Sequence, residues 1–209
     1  VPSLVLEDNL VRVLANGQLD TSFGNSGRFK LPKPAGLKFN FDQLAVRPDG
    51  KIIVQGDEFN SSRQTKLVTQ VVLANGSGLD TSFGTSGTSI LSSRFYTYGL
   101  DMAVQADGKI VVVGTVESLT DEDCVVVRLT ASGQFDTSFH GDGINRVPFG
   151  HLLESFDEVV IDTQGRIIAS GTSLGISQSK LLMARFTPSG NLDDTFSGNG
   201  KLELDHEVP

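Results

Sequence analysis

Residues 17–27 read GQLDTSFGNSG, and the chain writes this stretch three more times. GLDTSFGTSG starts at Gly78, GQFDTSFHGDG at Gly133 and GNLDDTFSGNG at Gly190. The recurring aspartates Asp20, Asp80, Asp136 and Asp193 lie 60, 56 and 57 residues apart. A second element keeps the same beat: AVRPDGKIIVQG from Ala45, AVQADGKIVVVG from Ala103 and VIDTQGRIIASG from Val160, with turn glycines Gly50, Gly108 and Gly165. A third (VRVLANG, QVVLANG, VRLTASG, ARFTPSG) always precedes the Asp turn. Three elements in one order at one spacing define a repeat architecture.

Each unit reads as four strands. LAVRP and KIIVQG flank Pro48-Asp49-Gly50, a turn sequence that closes a tight hairpin because Gly supplies the positive φ. LVTQVVL is the third strand, and RFKLP, TSILS, INRVPF or KLELD the fourth. β-branched residues dominate and no helical periodicity appears. KIVVVG does not alternate apolar with polar, so both faces of that strand should be buried. Small antiparallel sheets covered on both faces by copies of themselves describe an all-β propeller of four-stranded blades. Tight hairpins disfavour a parallel solenoid, and a β-trefoil remains the weaker rival. One domain spans 1–209, as a half unit at 1–33 and full units at 34–92, 93–149 and 150–209.

The run AVQADGKIVVVGT…VVVRLTASGQFDTSFHGDG resembles the delta-60 repeat, a bacterial propeller-type repeat of large secreted or surface proteins. The last unit departs most, with Gln164 for Asp, Asp194-Thr195 for Thr-Ser and Ser197 for Gly. The resemblance implies a propeller and a secreted or cell-surface location, and it implies no reaction.

Asp20, Asp80, Asp136 and Asp193 could form cation sites, or could accept backbone N–H bonds two or three residues on, as Asp does in turns. Phe23, Phe83, Phe139 and Phe196 would then be pegs between blades. Copy number decides for structure, since a catalytic group is needed once and a staple in every unit. The turns also resemble the structural Asp boxes of sialidase propellers.

Inverting that logic, function belongs to polar residues that do not repeat, on the connections that vary. Asp121, Glu122 and Asp123 should neighbour His151, Glu154 and Asp157, a group that could hold Ca²⁺ or be a solvated acidic loop. Arg94, Phe95, Tyr96 and Tyr98 could stack on a sugar or a protein, or fill the gap above the core. Asp42 and Asp157 share one position, with Asp101 one residue away, at the expected mouth of the central channel. His140 and Asp142 break the uniform turn, His206 sits at the tail, and Cys124 reads as a small core residue.

A net charge of −8 argues against nucleic acid or an anionic membrane as partner, and no apolar run reaches the ~20 residues of a membrane helix. A single cysteine excludes an intramolecular disulfide. Asn60 and Asn75 lie in sequons, which matter only if the host glycosylates. VPSLVLEDNL has neither a signal-peptide pattern nor an initiator Met, as expected of a chain excised from something longer. Nucleophile-elbow, zincin, phosphate-loop and dinucleotide signatures are missing.

The functional expectation is therefore a non-catalytic binding or scaffold module for a glycan or protein. The alternatives are a glycosidase-like hydrolase using Asp101, Glu154 and Asp157, and a purely structural spacer. About 3.5 units leave a ring open, so the chain is either part of a longer array or half of a seven-bladed homodimer.

Overall fold

The computed structural model describes residues 9–33, 38–59, 65–92, 96–117, 121–174 and 179–205. The described chain is all-β. A two-strand opening unit pairs β1 (Asn9–Val11) with β2 (Arg28–Lys30). Three antiparallel runs follow: β3 (Lys38–Val46), β4 (Ile52–Phe59), β5 (Thr65–Val72) and β6 (Thr88–Ser92); β7 (Tyr96–Val104), β8 (Ile110–Glu117), β9 (Glu122–Leu129) and β10 (Ile144–Val147); and β11 (Leu153–Ile161), β12 (Ile167–Leu174), β13 (Lys180–Phe186) and β14 (Lys201–Asp205). A single parallel pairing, Leu153 to Glu122, joins the third and fourth units into one sheet. Among the described residues the sheets do not close on themselves.

The hairpin chemistry works as its residues dictate. Gly50 N–H donates to the Arg47 carbonyl at 2.9 Å, and Gly50 takes φ 79°. Asp49 then accepts the N–H of Lys51 at 3.2 Å, which pins the tip.

Alternate residues of β8 serve opposite neighbours. Val111 and Val113 pack with Phe156, Ile167 and Leu182 of the fourth unit. Ile110 and Val112 pack with Ile53, Leu67 and Met102. All four β8 residues are fully or almost fully buried, as the unbroken apolar run predicts. A third cluster around Leu10, Phe23, Val54 and Val72 joins the first unit to the second.

The first strand of each full unit begins well before the LAVRP-type run, at Lys38, Tyr96 and Leu153. Each extension contains a β-bulge at one register: between Phe41 and Gln43, Gly99 and Asp101, and Phe156 and Glu158. Asp42, Leu100 and Asp157 are the extra residues, which is why Asp101 falls one place out of line with the other two aspartates. Gly56, Gly114 and Gly171 of the partner strands stand opposite the residue just before each bulge. A Cβ at Gly171 would stand 2.0 Å from the Ser155 carbonyl oxygen, so only glycine fits.

Phe23, Phe83 and Phe139 are buried pegs, as their repetition predicts. Phe196 differs. It is only half-buried, because among the described residues no further unit covers it. Replacing Phe139 by Ala should therefore cost about 3–5 kcal/mol, and replacing Phe196 about 1 kcal/mol in proportion to its smaller burial. Urea unfolding of the two variants checks this, and equal losses would contradict the peg assignment.

Candidate functional site

The four Asp turns share one geometry. Asp20 Oδ1 accepts Ser22 N–H at 3.0 Å and Ser22 Oγ–H at 2.6 Å. Asp80 with Ser82, Asp136 with Ser138 and Asp193 with Thr195 repeat this at 3.1 and 2.6 Å. The other carboxylate oxygen takes an arginine: Arg12 Nε at 2.7 Å, Arg128 Nε at 2.8 Å and Arg185 Nε at 2.8 Å. Each of these guanidiniums also lies over the peg ring of its own turn, 4.7 to 5.0 Å from the centroid.

In the second unit Val71 occupies the arginine position, and Lys51 Nζ reaches Asp80 at 2.8 Å instead. Lys109 Nζ approaches Asp136 at 3.3 Å from the equivalent hairpin. Arginine has a second task across the unit boundary. Arg12 Nη1 donates to the Ala74 carbonyl at 2.8 Å, and Arg128 Nη1 to that of Pro188. Where Val71 removes that donor, Arg47 Nη1 arrives from the first hairpin and bonds the corresponding Ala131 carbonyl at 3.1 Å.

These partners make the turn carboxylates acidic. The Lys51 ammonium, with the Ser82 hydroxyl and N–H, holds Asp80 down to about 2. Burial works against ionisation of Asp136, yet Ser138, Arg128 and Lys109 outweigh it and hold that group at about 2 as well. Asp80 and Asp136 thus each engage both carboxylate oxygens with donors of the protein.

The variable edge is different. A pocket of about 480 Å³ is lined by Asp121, Asp123, Arg146, Pro148, His151 and Leu152, among others. Arg146 on β10 pairs through Nη2 with Asp121 at 3.2 Å and through Nε with the buried Asp123. His151 Nε2 lies 3.2 Å from Glu203 Oε2 on β14. Asp121, Asp123 and His151 thus come together as their loops predict, around an arginine that the loop reading missed. Arg146 sits within a strand, at a place held by Lys30, Ile90 and Glu203 in the other units. Its failure to repeat was the available signal.

The remaining acids are otherwise engaged. Glu154 is buried and accepts the N–H groups of Phe149 at 2.8 Å and His151 at 2.6 Å, so it shapes the β10–β11 connection. Asp157 accepts the hydroxyls of Ser155 at 2.7 Å and Thr172 at 3.3 Å. Asp101 accepts Val159 N–H at 2.8 Å and so ties β7 to β11. Asp42 is exposed beside a small pocket between the first and second units. Glu122 starts β9 opposite Glu117. Among the described residues, no three or more His, Cys, Asp or Glu side chains are arranged to hold a metal ion.

Tyr96 and Tyr98 lie in β7, opposite Glu117 and Thr115. Arg94, Phe95, Asn60 and His206 lie outside the described residues. Cys124 is buried in the core, and burial pushes its thiol pKa up. His140 adopts a left-handed φ of 49° in its turn, and Asp142 accepts Ile144 N–H at 2.9 Å.

A family model described as a domain of unknown function (DUF5122) beta-propeller matches residues 5–23, 105–139 and 165–196. The match supports a propeller-type family and covers the Asp turns of the first, third and fourth units. None of the curated proteins matches the chain. The crystal structure of endo-arabinase from Bacteroides thetaiotaomicron VPI-5482 aligns at 12% identity with a TM-score of 0.41. That alignment covers 88% of this chain, which spans 63% of the arabinase chain. A likeness at that level fixes neither fold nor chemistry.

The acidic turns give stability a pH signature. Unfolding returns Asp80 and Asp136 from about 2 toward ~3.9, so the ionised carboxylates favour the fold. Their contribution is complete above about pH 4 and lost as pH falls toward about 2. The urea midpoint should drop across that window, and less steeply in Asp136→Asn. Identical slopes would contradict the assignment.

Proposed function

We propose that this chain is a non-catalytic binding module built on propeller blades, each four-strand run being one blade. It takes a glycan in the pocket around Arg146. One observation carries the reading: a cleft of about 480 Å³ on the variable edge, where a guanidinium is clamped by Asp121 and Asp123 with His151 close by. Carboxylate oxygens accept sugar hydroxyls and guanidinium N–H groups donate to them, while Pro148 and Leu152 offer apolar contact to a ring face.

The charge already held between Asp121 and Asp123 is that of Arg146, which favours a neutral hydroxylated ligand over Ca²⁺ at this place. The carboxylates assigned to the hydrolase alternative, Asp101, Glu154 and Asp157, are bound to backbone N–H groups or hydroxyls of the protein. A module of this kind fits a secreted or surface-displayed protein, the setting the repeat resemblance implies.

A glycan array followed by titration calorimetry of any hit tests the reading. Arg146→Ala should weaken binding about 10- to 100-fold, the range for losing hydrogen bonds from a charged donor. The thermal melt separates that loss from unfolding caused by the unpaired Asp123. No saturable glycan, or a hit indifferent to Arg146, overturns the proposal, and saturable protein binding at the pocket would point to the other ligand class.

A further inference from the structure

The three internal junctions use one set of contacts. The peg ring of one unit rests on a turn glycine of the next. A Cβ on Gly76, Gly133 or Gly190 would come within 2.7, 2.6 or 2.5 Å of Phe23, Phe83 or Phe139. The N–H after each peg bonds the carbonyl before that glycine: Gly24 to Asn75 at 2.8 Å, Gly84 to Ser132 at 2.7 Å and His140 to Ser189 at 2.9 Å. A guanidinium bonds the carbonyl one residue earlier.

The fourth unit presents the donor half of this junction. Arg185 is stacked on Phe196 at 5.0 Å, and neither its Nη1 nor the Ser197 N–H has a bonding partner among the described residues. The first unit presents the acceptor half. Gly17 has φ 82° like its counterparts, yet a Cβ there would meet nothing within 4 Å among the described residues.

The sheet faces behind these halves match. Val11 and Val13 are 51% and 60% exposed, whereas their counterparts Val127 and Leu129 are 4% and 0% exposed at an internal junction. Leu181 and Leu204 are 45% and 52% exposed, against 0% and 2% for their counterparts Cys124 and Val147. Met183 and Leu202 line a pocket of about 310 Å³ on that same face.

We infer that a second copy of this chain docks head to tail. The Ala15-Asn16-Gly17 turn of one copy seats on Phe196, Ser197 and Arg185 of the other, with Val11 and Val13 against Leu181 and Leu204. The contact continues the internal junction by its own rule and is heterologous, so two copies close a ring if the rotation permits and extend into a filament if it does not.

Sedimentation velocity on the full chain tests it. The wild type should sediment at twice its 22.3 kDa mass, or as a concentration-dependent series of larger species. Val13→Asp and Leu204→Asp should each be monomeric alone and still folded by far-UV circular dichroism, since both sites are exposed; their melts should fall only by what the lost association contributed. Mixed in equal amounts, they should form a single dimer through the one intact interface left to them. A monomeric wild type, association that survives both substitutions, or failure of the mixture to pair overturns the inference.

Discussion

A phenylalanine ring resting on the bare backbone of a glycine turn holds each unit of this protein to the next. The contact needs a ring on one side and the absence of a Cβ on the other, and Phe139 with Gly190 shows how little room there is. Around it the chain aligns a backbone hydrogen bond and a guanidinium–carbonyl bond, so position and orientation are fixed together. The Asp turn exists to present that ring. Asp Oδ1 locks the turn from within, while Oδ2 takes the cation that lies over the ring. Buried apolar clusters then fill the space between units that the staples hold in register.

The second unit shows that the constraint is spatial rather than positional. Val71 removes both the carboxylate partner and the cross-boundary donor, and two different residues replace them. Lys51 serves Asp80, and Arg47 serves the Ala131 carbonyl. Arg47 is also packed against the next hairpin, where a Cβ on Gly108 would stand 2.8 Å from its Nη2. A device used at every junction is free to change its parts but not its geometry. The loops on the other edge answer to no such rule, and there Arg146 gathers Asp121 and Asp123.

Much of this was legible in the sequence because repetition marks structure. The Asp-to-Ser bonds, the Pro-Asp-Gly hairpin and the doubly buried KIVVVG strand follow from local chemistry read in several copies. What escaped depends on pairings across strands. Arg12, Arg128 and Arg185 each stand eight residues before their Asp, a recurrence hidden by Val71 and by the extra residue in the second unit's turn. The bulges escaped because their signature, Gly56, Gly114 and Gly171, also suits an ordinary strand end. The acidic loop was read without its cation because Arg146 lies in a strand and reaches the loop through register, while Glu154 turned inward to cap the backbone of its own connection.

The staple can be separated from backbone strain by one pair of substitutions. Gly133 and Gly165 both have positive φ, 86° and 75°, so alanine carries a similar left-handed cost at each. A Cβ at Gly133 would meet the Phe83 ring at 2.6 Å, whereas at Gly165 the nearest atom is 3.7 Å away. Urea unfolding of Gly133→Ala and Gly165→Ala isolates the difference. Gly133→Ala should lose about 1–3 kcal/mol more, the cost of overpacking a tight contact. Equal losses would mean that ring and turn do not hold the units together.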